Sequence, residues 1–470
     1  MELTGMIFLF AFLPLSLAVY YIANDRAKEY VLFGISLLFY SFGSPDYLLL
    51  FLVSIAVTVL IGRSLAGRSG GVKRILLFAG IAWNVGLLAY YKYADFGVSL
   101  FHIFSGSALE EVRSVLPLGI SFFTFKAISY LVDIYTDRAR LSGYPVHDAL
   151  YLSFFAQIQS GPLSRYQDLQ LQSERGRRRD LFADGVFRFL IGFNKKILLA
   201  NVLANITNEI FAAPPEGLSA AYAWLGSICY SLQLFFDFAG YSDMAIGLSQ
   251  MFGYPCAENF DYPYMTESAA KFWRRWHISL SRWFRDYIYI PLGGSRGESK
   301  CGVYVNLFVV WILTGIWHGS ALNFVVWGLG YFAVIAFERG TNMPKRLKTK
   351  AGKLVYRLFT LLFINFQWVI FRSADLKTGL AYVKQMFLFG GSSLADLRTK
   401  FLLREYALFL FGAIFLCFPV VPWMKKKLER SREWSVAYEV LLSVIVIGLF
   451  VWAVSFVVSG QNHPFAYANF

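Results

Sequence analysis

Two of the five histidines stand in surroundings where an ionisable ring is costly. His277 lies in KFWRRWHISLSRWFRDYIYIPLGG, among tryptophans and arginines, and His318 lies in the apolar run VYVNLFVVWILTGIWHGS. An ionisable side chain in hydrocarbon-like sequence costs several kcal/mol or about that order, so it is kept where it is used or paired. Imidazole changes protonation near neutral pH, and burial disfavours its cation, so a buried histidine holds the base form ready. The sequence offers no G-x-S-x-G elbow, no glycine-rich phosphate loop and no metal-ligand spacing, and no metal site is expected. Cys229, Cys256, Cys301 and Cys417 are scattered and form no cluster. The economical chemistry is a general base that takes a proton from a substrate's own hydroxyl. His318 is the first candidate for that base and His277 the second. A ring bonded to a neighbouring carbonyl is the structural alternative for His318, and interfacial packing and hydrogen bonding is the alternative for His277. His102, His147 and His463 lie in loops or the tail and have weaker claims.

These two rings need elements to hold them. Residues 303–337 form a 35-residue apolar run. As one helix it would be about 52 Å long, against a hydrocarbon core of about 30 Å. The run must therefore bend, and Trp317-His318-Gly319-Ser320 is the expected place. Irregular backbone at membrane depth is tolerated only beside protein or a water-filled cavity, so His318 is expected to line a cavity. Residues 271–287 read as one amphipathic helix. Phe272, Trp273, Trp276, Leu280, Trp283, Phe284 and Tyr287 share a side, and Lys271, Arg274, Arg275, Arg282 and Arg285 lie opposite. Such a helix lies at the membrane interface with its rings in the acyl chains and its cations at the headgroups. His277 falls on the border of the aromatic side and points inward. Arg274, Arg275, Arg282 and Arg285, with Trp317 and Asn306, are the candidate donor- or substrate-binding residues.

The whole chain agrees with a membrane setting. Its 470 residues are 57% hydrophobic and 16% charged, with mean hydropathy +0.50, which excludes an ordinary soluble domain. Spans are expected at 6–22, 30–42, 47–61, 75–91 and 116–135, with more beyond. Residues 6–22 lack a positive leader and a small-residue cleavage site, so they read as a retained span. Basic loops after 22 and 61 alternate with a neutral turn at 43–46, which places the N-terminus outside. That rule also absorbs most of the +14 net charge. The basic residues flank spans, so no nucleic-acid partner is expected. Lys126 and Asp133 are two helical turns apart, too far for a direct pair. Asp237 and Asp243, beside Gly240 and Ser242, read as helix anchors. Residues 151–169, broken by Ser160-Gly161-Pro162, read as a short re-entrant or surface helix. A single domain is expected over 1–470.

Taken together, LPLGISFFTFKAISYLVDIY, SFFAQIQSGPLSRYQDL, FFDFAGYSDMAIGLSQMFGYPCAENFDYPY, FWRRWHISLSRWFRDYIYIPLGG, GIWHGSALNFVVWGL and the terminal NHPFAYANF resemble one family. The chain resembles the bacterial membrane-bound O-acyltransferases, in particular the branch of the alginate O-acetyltransferase membrane subunit. That branch is also similar to the membrane protein of D-alanyl-lipoteichoic acid synthesis. The resemblance implies an all-α, polytopic bundle of about 11 spans, with re-entrant and interfacial helices around a funnel. It implies a multi-pass protein of the bacterial plasma (inner) membrane that passes an acyl group, acetyl first of all, from a cytoplasmic donor to an extracytoplasmic polysaccharide or a partner acyltransferase. The donor would be acetyl-CoA or an acyl-carrier thioester, with no tightly bound cofactor. Membrane lipid, an extracytoplasmic partner acyltransferase and an acidic acyl-carrier protein are the implied partners. His318 matches the family's catalytic histidine and His277 its supporting one. The alternatives are D-alanyl transfer to teichoic acid, and a non-enzymatic polysaccharide export channel in which both histidines are structural.

Overall fold

The computed structural model describes residues 1–105, 115–168, 181–254, 256–295, 300–387, 396–428 and 432–465. Every regular element among them is a helix. Seven helices are long and apolar enough to cross a membrane: Pro45–Leu65, Gly70–Ala94, Phe182–Ala212, Cys301–His318, Leu322–Thr341, Lys350–Arg372 and Glu433–Val458. An eighth crossing is available if Ala407–Leu416 and Val420–Leu428, bent by 62° at their junction, act as one broken span. The expected count of about 11 is therefore not reached by length and composition. The difference lies in short helices such as Phe8–Ile22, Lys28–Gly43 and Ile120–Tyr135. At 1.5 Å per residue each rises only about 22–24 Å, short of a core of about 30 Å.

The described residues fall into two compact units. The first comprises Met1–Phe189 with Met244–Ala257. Within it, Ile120–Tyr135 is buried along nearly its whole length. Gly119 starts that helix with φ +68°, and a Cβ there would meet the Ile158 carbonyl at 2.0 Å, so only glycine fits this turn. Asp133 accepts hydrogen bonds from the Gln167 backbone N–H at 3.0 Å and the Ser129 hydroxyl at 3.4 Å. These two partners come from its own helix and from the helical turn at 166–168. The Lys126 ammonium stands over the Tyr151 ring, 5.0 Å from its centroid. The expected 151–169 helix is mostly irregular. A helix covers Pro145–Ser153, and the chain beyond it stays buried to about Leu163 without helical backbone, apart from one tight turn at Phe155–Gln157. His147, expected in a loop, is inside this helix with Nδ1 3.3 Å from Glu29 Oε1. Arg63 pairs with Asp148 at 2.9 Å and donates to the Ser142 carbonyl at 2.9 Å. The Arg175–Arg179 run and the side chain of His102 lie outside the described residues.

The second unit comprises Leu190–Asp243 with Glu258–Phe470 and contains both candidate histidines. Its core is an aromatic cluster that includes Trp273, Trp276, Trp311, Trp327, Tyr331 and Trp368. Beside this core the Phe182–Ala212 helix widens into a π-helical stretch at Lys195–Asn201. Lys195 pairs with Asp243 at 2.6 Å and Lys196 with Asp237 at 2.5 Å. The two aspartates do anchor a helix, through lysines instead of helix caps. Lys196 also donates to the Pro464 carbonyl at 3.3 Å and stands 4.5 Å from the Phe465 ring centroid. Pro464 and Phe465 are thus fastened to this ion pair. His463 contributes to the fastening, with Nε2 2.8 Å from Asn205 Oδ1.

Candidate active site

The segment carrying His277 is not one helix. It begins with a short turn, Ala269–Phe272, whose first N–H groups need acceptors. The Glu338 carboxylate supplies them, accepting from Ala269 N at 2.7 Å and Ala270 N at 2.9 Å, while the Tyr356 hydroxyl donates to it at 3.0 Å. The chain then reaches His277, which takes the left-handed conformation at φ +44°, ψ +54°. Helix resumes over Ile278–Phe284 and widens to a π turn at Arg285–Tyr289. A non-glycine residue in that region is held by its surroundings. Here Asp261 N donates to the Arg275 carbonyl at 2.9 Å and Ile278 N to the Asn259 carbonyl at 3.0 Å. The Asn259–Asp261 backbone therefore grips the chain on both sides of the histidine.

The expected separation of rings from cations survives this break, but the rings face protein instead of lipid. Phe272, Trp273, Trp276, Leu280, Trp283, Phe284 and Tyr287 are all buried. Trp276 meets Trp368 at 5.0 Å, and Trp273 meets Trp327 at 5.7 Å. Arg274, Arg282 and Arg285 are exposed, and Arg275 is half-buried. Two of the four are partly neutralised: Arg285 donates twice to Asp286, at 2.7 and 3.1 Å, and Arg275 lies 3.9 Å from Asp261. Arg274 and Arg282 have no such ion pair among the described residues and remain the exposed cations of this face.

The His277 ring is 1% exposed. Its Nδ1 lies 3.2 Å from Asn259 Oδ1, and the edge of Phe238 meets it at 4.5 Å between centroids. Burial pushes its pKa down to about 3, so the ring is neutral at physiological pH.

His318 ends the Lys300–His318 helix, and Leu322 begins the next. The expected break at 317–320 is present. The two arms are each long and apolar enough to cross on their own, so the run is a helical hairpin with His318 at its turn. Close approach of the arms needs small residues: a Cβ at Gly315 would lie 2.6 Å from the Phe324 carbonyl, and one at Gly328 would lie 2.5 Å from the Trp311 carbonyl. The His318 ring is 2% exposed. It is enclosed by Trp317 at 4.7 Å, Trp327 at 5.0 Å and Phe371 at 5.1 Å. Phe371 touches Trp368, and Trp368 touches Trp276, the residue preceding His277. One aromatic cluster therefore holds both histidine segments.

Of the remaining sequence candidates, Trp317 is in the His318 wall. Asn306 donates to the Gly294 carbonyl at 3.3 Å and braces the Pro291–Gly294 turn. Sequence reasoning did not single out Asn259, which sits in the quoted NFDYPY piece, or Glu338, which reads as the edge of a basic loop.

This arrangement gives an aromatic-walled imidazole at the turn of a membrane hairpin, with a second imidazole, that of His277, held neutral on the same core. The model of the membrane-bound O-acyltransferase family matches residues 120–376, more than half of the chain and inclusive of both histidines. The chain is 38% identical over 407 residues to the probable alginate O-acetylase AlgI of Pseudomonas aeruginosa, covering 84% of this chain and 77% of that protein. It is 34% identical over 429 residues to the peptidoglycan O-acetyltransferase of Helicobacter pylori, covering 84% and 81%. Against the teichoic acid D-alanyltransferase of Bacillus subtilis it is 30% identical over 351 residues, covering 64% and 85%. With this match and these relatives, the chain belongs to the membrane-bound O-acyltransferase family and is a multi-pass membrane O-acyltransferase.

Proposed function

We propose that the chain O-acetylates a cell-envelope polysaccharide, directly or through an extracytoplasmic partner acyltransferase, from the plasma membrane of a bacterium. The observation that carries this reading is the placement of His318 at the turn of a membrane hairpin, on the same aromatic core as His277. His318 takes the proton of an acceptor hydroxyl as its oxygen attacks the carbonyl carbon of a thioester. The C–O bond forms, the C–S bond breaks, and the departing thiolate receives the proton. His277 stays neutral and orients the donor or the first histidine. The donor is a cytoplasmic thioester, acetyl-CoA or an acidic acyl-carrier protein. Acetyl is preferred to D-alanyl because the two relatives named for O-acetylation each align over 84% of the chain, against 64% for the D-alanyl relative.

The acyl group is tested in cells from which the chain has been deleted and then restored. Mild base should release acetate from the envelope polysaccharide only when the chain is present. Release of D-alanine instead would give the alternative acyl group. Loss of polysaccharide export with unchanged acylation would make the protein a channel.

Arg274 and Arg282 are the cations that would meet an anionic donor. Charge reversal of both, Arg274→Glu with Arg282→Glu, should raise the apparent KM for the donor by at least about 30-fold, since each cation near a charged surface is worth about 1 kcal/mol and about 1.4 kcal/mol is tenfold. The defect should grow as salt is lowered, because two repelling charges are then less screened. A fall in inserted protein with unchanged KM would reduce these arginines to lipid anchors.

A further inference from the structure

The hydrogen bonds around Asn259 fix a property of His277 that its burial alone does not. Asn259 Oδ1 accepts from the Ser279 backbone N–H at 3.2 Å and from the Ser279 hydroxyl at 2.8 Å. A backbone N–H can only donate, so the amide atom facing it is the oxygen and not the nitrogen. The other end of the amide agrees, since Asn259 Nδ2 donates to the Ser242 hydroxyl at 3.0 Å. His277 Nδ1 lies 3.2 Å from the same carbonyl oxygen. A carbonyl oxygen needs a donor opposite it, so Nδ1 carries the proton, and the lone pair of the neutral ring is on Nε2. Peptide bonds from the same short segment grip the backbone on either side of the left-handed His277. One residue thus sets both the tautomer and the seat of the ring.

We infer that Asn259 is the positioning residue of the acyl-transfer centre, holding His277 as the Nδ1–H tautomer so that Nε2 is the atom presented to substrate or to the second histidine. This rests on the reading of His277 as part of that centre. Ser242 and Ser279 orient the amide and touch no reacting atom in this role. Asn259→Asp is the informative variant. It is isosteric, the Ser242 hydroxyl can turn to donate to it, and it keeps the acceptor opposite Nδ1. It also places a negative charge beside the ring, which favours imidazolium and should raise the histidine's pKa by about 1–3 units.

The test uses the full chain labelled with ¹⁵N-histidine in detergent micelles, with the His277 signal assigned by its loss in His277→Gln. The wild-type ring should show the Nδ1–H tautomer and stay neutral from pH 8 to pH 5. In Asn259→Asp the ring should begin to take up a proton within or at the acid edge of that window. Asn259→Ala should lose the single tautomer. In cells it should lower base-labile acetyl on the envelope polysaccharide at least about tenfold at equal membrane levels, as removal of a group orienting a functional histidine does. An Nε2–H tautomer in the wild type would overturn the inference, as would full acetylation by Asn259→Ala. If Asn259→Ala does not accumulate, the tautomer and titration of the wild type and Asn259→Asp decide alone. The spectra do not depend on the acyl group or acceptor. A His277→Gln protein that still acetylates would therefore refute the role of His277 while the assignment of its tautomer stands.

Discussion

His318→Ala should reduce acyl transfer by at least about 10²-fold, the lower end of what a positioned general base contributes. The expectation follows from the placement of the ring. It ends one arm of a hairpin, is nearly inaccessible, and is walled by Trp317, Trp327 and Phe371. Trp317, Trp327 and Phe371 themselves carry no hydroxyl or carboxylate that could take over proton transfer. Alanine also opens a void among these rings, and large-to-small changes in packed cores cost about 2–5 kcal/mol. Activity must therefore be normalised to inserted, monodisperse protein. A normalised loss of 10²-fold or more then reports chemistry, and a normalised rate near wild type would remove His318 from the reaction.

The second large effect concerns stability. Asp237→Ala should lower the stability of the protein by about 3–5 kcal/mol, because it strands the Lys196 ammonium inside the bundle. Lys196 is 2% exposed, its carboxylate partner is 2.5 Å away, and the Phe182–Ala212 helix that carries it is mostly buried. The double variant Asp237→Leu with Lys196→Met removes both charges and should recover most of the loss. The ion pair also fastens Pro464 and Phe465. The single variant should therefore expose residues near 461–465 to protease, and the double variant should do so only in part. Thermal unfolding in detergent reads the first effect and limited proteolysis the second. A single variant as stable as the wild type would show that Lys196 finds water or lipid headgroups instead of a dry interior.

The parts of the fold visible in the sequence were those set by length and solvent. A 35-residue apolar run cannot be one straight span, and the histidine inside it marked the turn of the hairpin. The division of residues 271–287 into buried rings and exposed arginines was legible because a periodic pattern survives a short break. The break itself was not legible. It depends on backbone bonds to Asn259 and Asp261, and no local propensity records a partner more than ten residues upstream. The rings faced protein because Trp311, Trp327 and Trp368, distant in sequence, supply their partners. The expected span count is not reached by length and composition for a related reason. Apolar character identifies 120–135 as buried, but whether a 16-residue helix crosses depends on what surrounds its ends. The four charges Lys195, Lys196, Asp237 and Asp243 were plain in the sequence, and only the fold pairs them across more than forty residues.

The most direct test of the base assignment is the turnover of His318→Gln. Glutamine keeps a hydrogen-bonding side chain of similar reach and fills more of the ring's space than alanine, but it cannot accept and release the proton. In proteoliposomes containing a donor and acceptor that the wild type uses, His318→Gln should be nearly as inactive as His318→Ala, again down by at least about 10²-fold. A glutamine variant turning over at close to the wild-type rate, at equal insertion, would make His318 a positioning group and contradict its assignment as the base.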